Sequence, residues 1–221
     1  MRPIDRLFVL WRDAVPSRHV IGELWRADDG FAFGYADKLP IEQGFAMLSE
    51  FPEHRTKSAP YVARYLFPTF AERIPGPSRP DRHRILGAFG VRNADDRFEV
   101  LARTGGQQLT DRIELAEFRA EDDNLAEPFE FRVAGASLTH PGLDHVCAGD
   151  PLVLRREPTN EADQNATLVL EGRGERLGYV PRQYSRMLAR LLDAGIAVQA
   201  VARRKIIAAA EPSRWVVQIS R

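Results

Sequence analysis

The sequence predicts an α+β protein of two modules. Residues 1–120 read as an antiparallel meander with helices, and residues 131–221 as a strand-rich unit with one helix. Three observations carry this. In the first module short apolar runs separated by turn residues give way to helical spacing. In the second, two β-like runs flank an Asn/Asp-rich connection, Arg156-Glu157-Pro158-Thr159-Asn160-Glu161-Ala162-Asp163-Gln164-Asn165-Ala166. Between the modules Glu121-Asp122-Asp123 and Pro128 interrupt any apolar period, so residues 121–130 read as a solvated acidic linker.

Taken in order, Leu7 to Trp11 is a strand, followed by a turn around Pro16-Ser17 and a second strand from Val20 to Trp25. Asp28-Asp29-Gly30 is a hairpin signal, because the glycine tolerates the positive φ that such turns need. Phe31, Phe33 and Tyr35 then alternate on one face of a third strand. After Leu66 to Ile74, the Pro75-Gly76-Pro77 breaker precedes helical spacing from Asp81 to Phe89. A further helix from Asp95 to Arg103 stops at Gly105-Gly106. In the second module Pro151 to Leu154 and Thr167 to Leu170 are strands, and Gly172-x-Gly174 is a turn into Leu177-Gly178-Tyr179. Gln183 to Ala194 is helical.

Composition narrows the function classes. Hydrophobic residues make up 44% of the 221 and charged ones 28%, ordinary values for a soluble globular protein. No apolar run approaches the roughly 18 residues of a membrane span. Met1 to Arg6 leads into a strand-like run and not a signal peptide, and Cys147 has no second cysteine to pair with, so a cytoplasmic setting is expected. The formal net charge is zero, yet residues 1–130 hold 18 Lys+Arg against 22 Asp+Glu (net −4) and residues 131–221 hold 13 against 9 (net +4). The basic half is the one with the Asn/Asp-rich loop. No G-x-x-x-x-G-K-(S/T) or G-x-G-x-x-G is present, so a nucleotide cofactor is not expected.

The order R-x-P-x-N-x-x-D-x-N-A, a short strand, Gly178-Tyr179-Val180-Pro181-Arg182 and a helix resembles the HIRAN domain, with Val133 and Gly135 fitting the V-x-G of its first strand. The resemblance implies a small OB/SH3-like β-barrel with a helix that binds single-stranded DNA, especially free 3′ ends. Carried over by position, Asn160, Asp163 and Asn165 shape the pocket loop, and Tyr179 and Arg182 border it. Arg156 and Lys205 complete the DNA-binding set. An aspartate can accept a hydrogen bond from a terminal hydroxyl, asparagine can bond to base edges or sugar, and arginine pairs with phosphate. Where the family carries aromatics this chain has Ala136-Ser137-Leu138 and Ala162, and stacking is worth roughly 1–3 kcal/mol per base. The alternative is a structural one, in which Asn160 and Asp163 brace a turn and Asn165 satisfies buried backbone.

Residues 7 to 115 resemble the opening of HipA-type toxin kinases: Ile21-Gly22-Glu23-Leu24, Asp29-Gly30, Phe33-x-Tyr35, then Leu66-Phe67-Pro68-x-Phe70-Ala71-Glu72-Arg73-Ile74-Pro75 and Gly105-Gly106. That likeness implies a partner, a HipB-like helix-turn-helix antitoxin. No kinase core follows, so kinase activity is not expected. The leading expectation is a DNA-acting toxin, in its sharper form a metal-dependent deoxyribonuclease with Mg²⁺ or Mn²⁺ on Glu157 and Asp163. The alternative is a non-enzymatic module that holds single-stranded DNA or DNA ends, or regulates a partner. His140, Asp144, His145 and Cys147 lie within eight residues and include an H-x₄-H spacing, but no second ligand pair is evident, so a loop with Cys147 buried is expected there. Arg73, Arg79, Arg82, His83 and Arg84 form a basic cluster whose alternatives are a DNA contact and a solvated helix start.

Overall fold

The computed structural model describes residues 3–14, 17–135, 145–208 and 211–221, with only the backbone described at 207–208 and 211–214. The chain divides into two compact units, one of residues 3–118 and one that begins at Arg119.

The first unit is an antiparallel five-stranded sheet. Strands β1 (Arg6–Arg12), β2 (Arg18–Ala27) and β3 (Gly30–Tyr35) form the expected meander, with the Asp28-Asp29 turn pairing Ala27 with Gly30. Two strands that the sequence did not announce flank it, β4 (Tyr61–Ala63) beside β3 and β5 (Ile113–Glu117) beside β1, for an order β4-β3-β2-β1-β5. One face of the sheet packs on an aromatic core in which the Phe33 ring lies 4.5 Å from Phe51 and 5.5 Å from Phe70. The buried Tyr35 hydroxyl is satisfied there, donating to the Phe51 carbonyl at 2.9 Å and accepting from the Leu48 N–H at 2.9 Å.

Three helices complete this unit: α1 (Pro68–Ala71), α2 (Arg82–Ala88) and α3 (Arg97–Thr104). Asp96 caps α3 by accepting the N–H groups of Phe98 and Glu99, and Gly105 ends it in the left-handed conformation at φ 75°. The basic cluster around the proline-rich segment is largely spent on the fold. Arg73 is buried and bonded to Asp111 and to the carbonyls of Thr69 and Gly106. Arg79 pairs with Asp81, and Arg82 donates to the carbonyls of Pro75 and Ala94.

The second unit is a six-stranded sheet with one helix. Its strands are β6 (Phe129–Arg132), β7 (Pro151–Arg156), β8 (Thr167–Leu170), β9 (Arg176–Tyr179), β10 (Gln199–Ala208) and β11 (Glu211–Ser220), in the order β6-β11-β10-β7-β8-β9. The sheet curls into a half-barrel: just past β6, Ala134 pairs with Tyr179 of β9, exchanging hydrogen bonds of 2.8 and 2.7 Å. The two outer strands of the order are therefore joined, as in a barrel. Helix α4 (Arg182–Asp193) buries Tyr184, Met187, Leu188 and Leu191, the i, i+3, i+4, i+7 stripe of an amphipathic helix. Tyr184 meets the Phe129 and Phe131 rings at 5.0 and 6.0 Å.

The acidic stretch 121–130, expected as a linker, belongs to this second unit. Arg190 of α4 donates to the carbonyls of Glu121 and Asp123, Arg186 pairs with Glu121, and Leu125 is buried. Glu121 is matched by Arg186, 65 residues further along the chain, and Glu130 by Arg204 of β10, pairings no local pattern discloses. Among the described residues no helix is long and apolar enough to cross a membrane.

Candidate nucleic-acid interface

The Asn/Asp-rich segment is the connection between β7 and β8, and its shape is fixed from within. The Glu157 N–H donates to the Ala166 carbonyl at 2.9 Å, closing the loop at its base. Asn160 organises the tip: its Oδ1 accepts the N–H groups of Ala162 and Asp163, while its Nδ2 donates to Glu157 Oε2 at 2.6 Å. Asp163 accepts the Asn165 N–H at Oδ1 and the Ser185 hydroxyl at Oδ2, both at 2.8 Å. The Ser185 hydroxyl also lies 2.9 Å from the Arg182 carbonyl, so the start of α4 is tied to the loop. This is the Asx-turn chemistry that short polar side chains offer.

Arg156 holds the loop to the far end of α4. Its Nε and Nη2 reach Asp193, Nη1 donates to the Ala166 carbonyl at 2.7 Å, and Nη2 to the Gln164 carbonyl at 3.2 Å. All of its donor nitrogens are engaged in the fold. The residue before it behaves differently. Along β7 the side chains alternate, with Pro151, Val153 and Arg155 exposed and Leu152 buried, so Arg155 points to solvent where Arg156 does not.

Glu157 and Tyr179 meet across the β7–β8–β9 face. The Tyr179 hydroxyl donates to Glu157 Oε2 at 3.0 Å. The hydrogen bond from Asn160, then that from Tyr179, holds the Glu157 carboxyl below the usual carboxylate range, with the charges of Arg176 and Arg155 adding to the effect. Arg176 also stands over the Tyr179 ring at 5.6 Å. The hydrogen bonds to ionised Glu157 therefore contribute stability above the ordinary carboxylate range and lose it as acid protonates the group. Tyr179→Phe removes one donor to the ionised form, so the Glu157 titration moves up toward its ordinary value, measurable by NMR of the side-chain carboxyl. No upward movement in that variant means that the contact contributes nothing in solution.

Three guanidinium groups lie around this loop without a described hydrogen bond or ion pair. They belong to Arg155 on β7, Arg176 on β9 and Arg182 at the start of α4, and all three residues are exposed. Arg155 and Arg176 went unnamed in the sequence reading; the alternation along β7 was the signal for the first, and the turn into β9 gave none for the second. The Asn165 carboxamide likewise has no described partner, whereas Ala162 is exposed and offers no ring. Lys205 stands apart, on β10 opposite Trp215, with β7 between its strand and β8.

As a metal centre the Glu157–Asp163 pair is poorly supplied. Both carboxylates already accept protein donors, and among the described residues neither belongs to a group of three His, Cys, Asp or Glu ligand atoms within 4.8 Å of one another. In the other sequence-level cluster His140 and Asp144 lie outside the described residues. Cys147, expected to be buried, is exposed, because its segment turns at the surface with the Cys147 N–H capped by Asp150 Oδ2 at 2.8 Å.

This geometry coincides with a family match. Residues 128–215 match the HIRAN domain. The matched span runs from the residue before β6 into β11, and so includes the β7–β8 loop, Tyr179 and α4. The crystal structure of the HIRAN domain of human HLTF aligns with this chain at 20% identity and a TM-score of 0.35, covering 42% of this chain and 72% of that one. No curated protein matches the chain.

Proposed function

We propose that the HIRAN-matching unit binds single-stranded DNA, with the β7–β8 loop receiving a strand end. The observation that carries this is a rigid polar loop flanked by three exposed arginines without a described hydrogen bond or ion pair. Arginine engages phosphate through paired N–H donors, and Arg155, Arg176 and Arg182 have theirs available. Each Asp163 oxygen accepts one protein donor, and an ionised carboxylate oxygen has room for a second. Asp163 is thereby a fixed acceptor suited to a terminal hydroxyl, the role that its HIRAN-like position implies. Asn165 supplies a carboxamide beside it. With alanine at 162, binding relies on phosphate and sugar contacts more than on base stacking.

Fluorescence anisotropy with a labelled oligonucleotide ending in a 3′ hydroxyl or a 3′ phosphate tests this reading. Binding is expected for the hydroxyl end, with the preference lost in Asp163→Asn; no binding of either oligonucleotide at low salt overturns it. The toxin reading draws on the HipA-type resemblance of residues 7 to 115, and it adds a HipB-like partner and DNA cleavage. Incubating the chain with plasmid and single-stranded DNA in Mg²⁺ or Mn²⁺ separates a nuclease from a binding module. Cleavage lost in Glu157→Ala or Asp163→Ala establishes the enzyme; intact DNA with a shifted band establishes the binder.

A further inference from the structure

The hairpin between β8 and β9 carries two carboxylates that the DNA-binding reading does not use. It is closed by the Glu171 N–H to the Glu175 carbonyl at 3.0 Å and the Gly174 N–H to the Glu171 carbonyl at 2.9 Å. Gly174, at φ 87°, supplies the left-handed residue that so tight a turn requires. The turn leaves Glu171 and Glu175 side by side. Glu171 is buried, and its Oε1 accepts the N–H groups of Arg173 and Glu175 at 2.7 and 2.8 Å. That oxygen is occupied by backbone, so Oε2 is the one presented outward, 3.0 Å from Nε2 of His145. His145 arrives from the separate segment that precedes β7.

We propose that His145, Glu171 and Glu175 form a binding site for a divalent transition-metal ion, with Zn²⁺ the best fit. One ligand atom from each residue lies within 4.8 Å of the other two. Zn²⁺ takes nitrogen and oxygen ligands at about 2.0–2.2 Å, which spaces neighbouring ligands of a tetrahedral ion roughly 3.3–3.6 Å apart. The His145–Glu171 pair is already near that spacing, and Glu175 is an exposed side chain with no described partner, able to close the remaining gap. The backbone donors on Glu171 play the part that supporting hydrogen bonds play for metal-ligating carboxylates, fixing which oxygen faces the ion. Two adjacent carboxylates against one imidazole leave net negative charge. Three protein ligands leave a position for water, and the ion would pin the segment before β7 to the β8–β9 turn.

The test uses the full chain, stripped with chelator and titrated with ZnCl₂ by isothermal calorimetry, with thermal unfolding alongside. One equivalent of Zn²⁺ bound and a raised Tm are expected for the wild type. Glu175→Gln and His145→Asn are each expected to weaken binding by at least about tenfold, and Glu175→Gln, at an exposed side chain with no described partner, is expected to leave the metal-free Tm unchanged. Glu171 is left intact, because its carboxylate caps the hairpin. Cys147→Ser is expected to bind like the wild type. No uptake by the wild type, undiminished affinity in both ligand variants, or loss of binding in Cys147→Ser overturns the assignment.

Discussion

Alanine at Arg155, Arg176 and Arg182 together lowers the affinity for single-stranded DNA by roughly 100-fold at low salt and flattens its salt dependence by about two in log–log slope. The slope follows from counterion release: each phosphate neutralised on a single strand contributes about 0.7 to it, so three lost contacts remove about two. The fold should be little changed, since none of the three side chains has a described hydrogen bond or ion pair, and the exposed Arg176 contact with the Tyr179 ring contributes about 0.5–1 kcal/mol. Anisotropy titrations over a range of KCl, paired with urea unfolding, read both quantities. A triple variant with unchanged slope places the phosphate contacts elsewhere on the unit and removes this face from the binding site. The Asp163→Asn variant belongs beside it as a contrast: it alters an acceptor and no cation, so the end preference falls while the slope holds.

The regular elements were largely legible because their signals are local. The Asp28-Asp29-Gly30 turn, the glycine stop at Gly105 and the apolar stripe of α4 are each readable within a few residues. Strands β4 and β5 were not legible, because β4 is three residues long and β5 is recruited by β1 from about a hundred residues away. The same divide runs through the site. Asn160 and Asp163 were legible as loop-forming residues, since an Asx turn bonds to its own backbone. The partners that give the loop its stiffness, Ser185 for Asp163 and Tyr179 for Glu157, each lie 22 residues away on other elements. Arg156 looks like a phosphate ligand from its place in the motif, yet β alternation turns it inward and Arg155 outward, and only the fold supplies Asp193. The His145, Glu171 and Glu175 grouping escaped for the same reason: a histidine and a hairpin 26 residues on share no sequence spacing that marks a metal site.

Arg156→Ala costs about 2–3 kcal/mol of stability, and the loss comes mainly from two backbone carbonyls and not from the ion pair. Asp193 is more than half exposed, at 59%, so water and salt screen its attraction to Arg156, and an exposed pair of this kind contributes at most about 1 kcal/mol. The Ala166 carbonyl sits at the loop base, where the donor from Arg156 is part-buried and charge-assisted; a hydrogen bond of that type contributes about 1.5–3 kcal/mol. The Gln164 carbonyl is more exposed and adds less. A double-mutant cycle with Asp193→Asn should therefore return a coupling below about 1 kcal/mol, while Arg156→Lys, with the charge but without the fork, recovers only part of the loss. Chemical denaturation gives these values directly. DNA affinity falls as well in Arg156→Ala, because Asn160, Asp163 and Asn165 lose their fixed arrangement and binding must then order them. The salt slope, though, stays at the wild-type value, which separates a residue that shapes the loop from one that touches phosphate. A fallen slope with unaltered stability in Arg156→Ala would mean that the guanidinium leaves Asp193 and the loop carbonyls to meet DNA itself.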